Sequence, residues 1–130
     1  MDNSYPSRIL LVEADKNSAK LMAHFLMLHH FNVETVPRGD GALSALLNFN
    51  PEIVLLDIVT SEYSDLQLCK KIRSTSDASI IITTANGDNL DHISELEAGA
   101  DDYVIKPIKP AALLARLLAL QRRAARLKKS

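Results

Sequence analysis

Five short apolar runs alternate with amphipathic stretches along this chain, and that alternation leaves few folds open to it. The run "EIVLLDIV" (52–59) is nearly continuous, as expected of a central parallel strand covered on both faces. "SIIITTA" (79–85) reads as a second buried strand, "RILLV" (8–12) as a third and "DYVIK" (102–106) as a short one. "NVETV" (32–36) sets Val33 and Val36 among polar residues and predicts a more exposed strand. Between them lie stretches with helical spacing. In "NSAKLMAHFLMLHH", Ala19, Met22, Phe25 or Leu26, and His29 recur on one face. "ALSALLNF" and "LQLCKKIR" follow, then "NLDHISELEAGA", closed by Gly99 as a C′ residue. "KPAALLARLLALQRRAARLK" carries Pro110 in its first turn, where the missing donor costs nothing. Five strand–helix units without a repeat or an internal linker predict one α/β domain on a parallel sheet. Such sheets bind ligands beyond the carboxyl ends of their strands, at the topological switch point.

The rest of the composition narrows the function classes. A chain of 130 residues, 47% of them apolar, can bury a core without metals or disulfides. The single Cys69 excludes an internal disulfide framework, suits a reducing compartment and is expected to pack on a helix face. No apolar run approaches the ~18 residues of a membrane span, and "MDNSYPSR" lacks the apolar core of a signal peptide. A cytoplasmic protein without a membrane partner is expected. Of the 15 basic residues, Arg122, Arg123, Arg126, Lys128 and Lys129 lie in the last ten positions, which hold no acid. The first 120 residues therefore hold 10 basic and 16 acidic groups, a net of -6, and make a poor nucleic-acid binder by themselves. His24, His29, His30 and His92 show no metal-ligand spacing with Cys69 or the acids.

The strand ends carry the chemistry. Strand one delivers Glu13, Ala14 and Asp15, strand three Asp57, strand four Thr83 and Thr84, and strand five Lys106 followed by Pro107. From about Arg8 to Arg123 the chain resembles the receiver domain of bacterial two-component response regulators. The resemblance implies a flavodoxin-like three-layer α/β/α sandwich, with a five-stranded parallel sheet of order 2-1-3-4-5. It also implies that Asp57 accepts a phosphoryl group from a sensor histidine kinase. Thr84 would hydrogen-bond that group and Lys106 would pair with it. Glu13, Asp57 and the Val59 backbone carbonyl would hold Mg²⁺. Lys106–Pro107 matches the family's Lys–Pro peptide, usually cis, and Tyr103 the aromatic ring that turns inward on activation. The expected molecule is a signalling module, not an enzyme. A flavin-binding member of the same fold would need a Ser/Thr/Gly-rich phosphate loop after strand one; "EADKNS" is acidic there and would repel phosphate.

Two departures from the family stand out. Ala14 occupies the position whose carboxylate contacts the metal directly, and Asp15 is placed to cap the first helix instead. After Asp57, Thr60-Ser61 stands where the family usually has Met-Pro, and Ser64-Asp65 where it has Asp-Gly. "SDLQ" (64–67) reads as a capping box, with Ser64 as the cap. Mg²⁺ takes only one or two protein carboxylates, so weak or absent binding is expected. One reading is a conventional phosphoacceptor; the other, preferred, is an atypical receiver regulated through dimerisation or partner binding.

"GADDYVIKPIKPAALLARLLALQRRA" resembles the winged-helix transcription-factor class of response regulators. That resemblance implies a homodimer through the fourth helix, fifth strand and fifth helix, with Asp101, Asp102 and Arg116 as charged positions and Ile93, Leu96 and Leu114 as an apolar patch. Residues 1–123 would form the receiver, and 124–130 the start of a basic linker to an output domain absent here. DNA would be met only through that domain. A stand-alone protein-interaction module is the alternative.

Overall fold

The computed structural model describes residues 7–37, 40–58, 63–85, 96 and 98–129. Its elements run β1 (Arg8–Val12), α1 (Lys16–Leu28), β2 (Asn32–Val36), α2 (Asp40–Phe49), β3 (Ile53–Ile58), α3 (Tyr63–Thr75), β4 (Ser79–Thr84), β5 (Asp102–Ile105) and α4 (Pro110–Lys129). All five strands pair in parallel, in the expected order β2-β1-β3-β4-β5. The helix expected over 89–100 falls largely outside the described residues, as do Val59, Thr60, Ser61, Ile93 and His92.

Strand alternation sorts the core into two layers. Leu10, Val12, Val54, Leu56, Ile80 and Ile82 face Ala45, Leu46, Cys69 and Ile72 on the α2/α3 side. Ile9, Leu11, Leu55, Ile81 and Val104 face Ala23, Leu26, Leu113 and Leu117 on the α1/α4 side. Every residue of β3 is buried, whereas edge strand β2 is half-exposed, as its polar alternation predicts. Cys69 is buried on α3, in the packing role expected of it.

Local signals settle most of the element ends. Asp15 caps α1, its Oδ1 accepting from the Asn17 and Ser18 amides at 2.9 and 3.1 Å. Gly99 has φ +114°, a conformation that disfavours side chains, and its amide donates to the Leu96 carbonyl. Pro110 opens α4. Ser64 does not cap α3: that helix already includes Tyr63, which puts Ser64 inside its first turn. α4 continues unbroken past position 123 to Lys129. No helix among the described residues is long and apolar enough to cross a membrane.

Long-range polar contacts hold the strand entries. Arg73, near the end of α3, donates from Nε to the Gly99 carbonyl (3.1 Å) and from one terminal nitrogen to the Ala78 carbonyl (2.9 Å). Its other terminal nitrogen pairs with Asp101 at 2.6 Å, and the same Asp101 oxygen accepts from the Ile80 amide. One guanidinium thus ties α3 to the starts of β4 and β5.

Candidate functional site

The carboxyl ends of β1, β3, β4 and the segment after β5 converge on Asp57. Its side chain is 2% exposed, so its charge requires a partner within the protein. Lys106, which follows β5 and precedes a cis peptide to Pro107, forms an ion pair with Asp57 Oδ1. The Thr83 hydroxyl donates to the same oxygen at 3.1 Å.

The hydroxyl in contact with Asp57 is that of Thr83; the expected role of Thr84 concerns a bound phosphoryl group. In the sheet Asp57 sits opposite Thr83, and Ile58 opposite Thr84. Directly paired residues share a face, so Asp57 and Thr83 lie on the α1/α4 side while Thr84 takes the other. Thr84 is fully buried there. The tandem threonines were visible in the sequence; which of them faces Asp57 depends on register.

Glu13 is half-buried beside the pair, and its Oε2 accepts from the Asp15 amide at 3.0 Å. Burial pushes the Glu13 carboxyl above its ordinary value; the Asp15 amide opposes this, the Asp57 carboxylate adds to it, and the Lys106 ammonium opposes it. A native state that keeps this proton to higher pH than the unfolded chain loses stability as pH rises through the ordinary carboxyl range to the raised value. Glu13→Gln is therefore expected to gain stability over the wild type across that window and to keep the gain above it. Urea melts in EDTA at acid and neutral pH check this; a wild type that gains on the variant as pH rises contradicts the sign.

Ala14 is exposed and brings no carboxylate to the pocket, and the Asp15 carboxylate is engaged as the α1 cap. Among the described residues no three His, Cys, Asp or Glu side chains form a group able to hold a metal. Glu13 and Asp57 are the carboxylates that meet at the pocket, and Asp57 is paired to Lys106.

The residues expected at a dimer face are placed differently from one another. Asp102 pairs with Arg116 within the chain, and Asp101 is held by Arg73 and the Ile80 amide. Leu114 is half-buried against the α1/α4 core, whereas Leu96 is 45% exposed. Ile105 and Leu118 are exposed apolar residues of β5 and α4 that the sequence reading did not single out. Tyr103 packs half-buried against the α2/α3 core. Arg73 was also missed, because its partners lie 26 and 28 residues away along the chain.

Comparison with known proteins agrees with this geometry. The model of the response regulator receiver domain matches residues 9–118. The response regulator ArlR of Staphylococcus aureus is 36% identical over 117 residues, covering 90% of this chain and 53% of the relative. The chain thus spans about half the length of the curated relatives it matches. The BeF3-activated N-terminal receiver domain of Klebsiella pneumoniae RstA superposes with a TM-score of 0.82 at 36% identity, covering 88% of this chain and 98% of that one. A two-component response regulator from Clostridium difficile gives 0.85 at 26% identity, covering 91% and 98%. A buried aspartate at the end of β3, its lysine and hydroxyl partners, the strand order and these likenesses lead to one conclusion: the chain belongs to the response regulator receiver domain family.

Proposed function

We propose that this domain is an atypical receiver of the winged-helix class, controlling a transcriptional output, in which Mg²⁺-dependent phosphorylation of Asp57 is impaired. One observation carries the reading: Asp57 is buried and held by Lys106, while Ala14 contributes no carboxylate beside Glu13. Asp57 remains the candidate phosphoacceptor, a carboxylate able to attack phosphorus and form an acyl phosphate. Phosphoryl transfer depends mostly on positioning and charge stabilisation. In this reading Lys106 offsets phosphoryl charge, Thr83 orients Asp57, and Thr84 with Tyr103 forms the switch. Mg²⁺, where it binds at all, is held weakly by Glu13, Asp57 and the Val59 carbonyl.

Regulation then passes through association. A homodimer through the segment before β5, β5 and α4 would use Leu96, Ile105 and Leu118 as its apolar patch, with Asp102 and Arg116 at its rim. Exposed ion pairs contribute only ~0–1 kcal/mol each, so the apolar contacts would dominate. The basic segment 124–130 leads toward an output domain that meets DNA, and a sensor histidine kinase is the partner of the conventional alternative.

Acetyl phosphate with Mg²⁺, read by intact mass beside Asp57→Asn, tests the reading. Little or no labile phosphoryl gain is expected. A full gain that Asp57→Asn lacks makes the domain a conventional phosphoacceptor, a reading favoured by the retained Asp57, Lys106 and threonines.

A further inference from the structure

α1 stands between two grooves. An apolar cleft between Phe25 and Ile108 opens beside the acid pocket, and on the other side of α1 a groove of about 640 Å³ follows edge strand β2. Ala19, Ala23 and Met27 supply its apolar lining, Lys16, Lys20 and His24 its cations, and Thr35 borders it from the strand.

The outer edge of β2 is open. The Asn32 amide donates to the Ser7 carbonyl and the Val36 carbonyl accepts from the Glu13 amide, so these residues, and Glu34 between them, turn their backbone groups toward β1. The amides and carbonyls of Val33 and Thr35 therefore point outward, where no described strand pairs with them. β2 lacks a lysine, a proline and a bulge, devices that commonly protect an edge.

Charge and spacing select the partner. Lys16 and Lys20 are exposed, and among the described residues neither has an ion-pair partner. The acids nearby are otherwise placed. Glu13 lines the groove at its pocket end and holds the Asp15 amide, Asp15 caps α1, and Glu34 lies on the other face of β2, in register with Leu10. Lys16 and Lys20 are spaced by about one helical turn, roughly 6 Å. Alternate side chains of an extended strand repeat at about 6.6 Å, nearly the same step. An antiparallel second copy would set its own Lys16 and Lys20 across the same groove, so like charges disfavour it.

We propose that β2 takes up an added strand from an acidic protein partner, an extended segment with acids at alternate positions facing Lys16 and Lys20 and an apolar residue facing Met27. Main-chain hydrogen bonds to Val33 and Thr35 supply affinity, and the alternating acids supply specificity. The site lies at the sheet edge opposite β5 and does not depend on the state of Asp57.

The probe is acetyl-Thr-Glu-Thr-Glu-Thr-Leu-Thr-amide, titrated into the isotope-labelled chain at low salt. Saturating amide shifts are expected in residues 16–27 and 32–36, with Kd below about 1 mM. At saturation the Val33 and Thr35 amides should exchange with solvent at least about tenfold more slowly than in the free chain. Lys20→Glu, at an exposed position, should weaken the peptide about tenfold. Thr35→Pro, which removes an outward donor without touching the β1 ladder, should abolish the protection at Val33. Equal binding of the peptide with Gln for Glu, shifts without protection of Val33 and Thr35, or self-association through this edge in sedimentation overturns the proposal.

Discussion

Ala14→Asp is expected to raise Mg²⁺ affinity by at least the 10–100-fold that outer-shell partners of metal sites typically supply. Mg²⁺ keeps most of its waters and draws on one or two carboxylates, so a single added ligand is a large fraction of the protein's share. Position 14 is exposed, which lets the substitution proceed without disturbing the core. Asp15 cannot serve in its place, since its carboxylate receives the Asn17 and Ser18 amides and its own amide holds Glu13. Without metal, a third carboxylate beside Glu13 and Asp57 adds repulsion, and the variant should melt lower than the wild type. With Mg²⁺ it should recover, because a ligand bound only by the native state stabilises in proportion to the logarithm of its concentration. Calorimetric titration with Mg²⁺ and melting with and without the ion read this independently of phosphorylation. An unchanged affinity would mean that position 14 does not face the pocket.

Arg73→Ala is expected to cost about 2–4 kcal/mol, because hydrogen bonds involving a charged group contribute about 1.5–3 kcal/mol each and do not add fully. The variant leaves the Gly99 and Ala78 carbonyls without the Arg73 donors and removes the ion-pair partner of Asp101. For a chain of this size the loss corresponds to a melting shift on the order of 10 °C. Arg73→Lys should rescue little, since one ammonium cannot reproduce a planar fork reaching three groups. Gly99→Ala should be destabilising for a related reason. Its Cβ would lie 2.9 Å from the Arg73 Cβ, at a φ of +114° that side chains rarely adopt. A double-mutant cycle between Arg73 and Asp101 isolates their shared contribution; additivity would show that the guanidinium acts through the carbonyls alone.

Much of this architecture is legible locally. The unbroken apolar run in β3 reports burial on both faces, the alternation in β2 reports an edge, and Asp15 and Pro110 mark helix ends by chemistry confined to a few neighbouring residues. Ser64 shows where local reading fails, because a capping motif does not outweigh a helix that begins at or before Tyr63. The acid pocket was visible as a set of residue types at strand ends, with Ala14 among them.

Its contacts were not. The choice between Thr83 and Thr84 depends on pairing register, and a shift of one residue moves a side chain to the opposite face of the sheet. Asp101, expected at a charged interface, is satisfied within the chain by Arg73 and the Ile80 amide, partners separated from it by 28 and 21 residues. The strands, most of the helix ends and the residue types around the pocket are readable along the chain, because they follow from short-range periodicity and capping. Which hydroxyl meets Asp57, which cations hold Asp101 and Asp102 within the chain and where an apolar cleft opens beside the pocket emerge only in three dimensions, because they depend on distances between segments far apart in the chain.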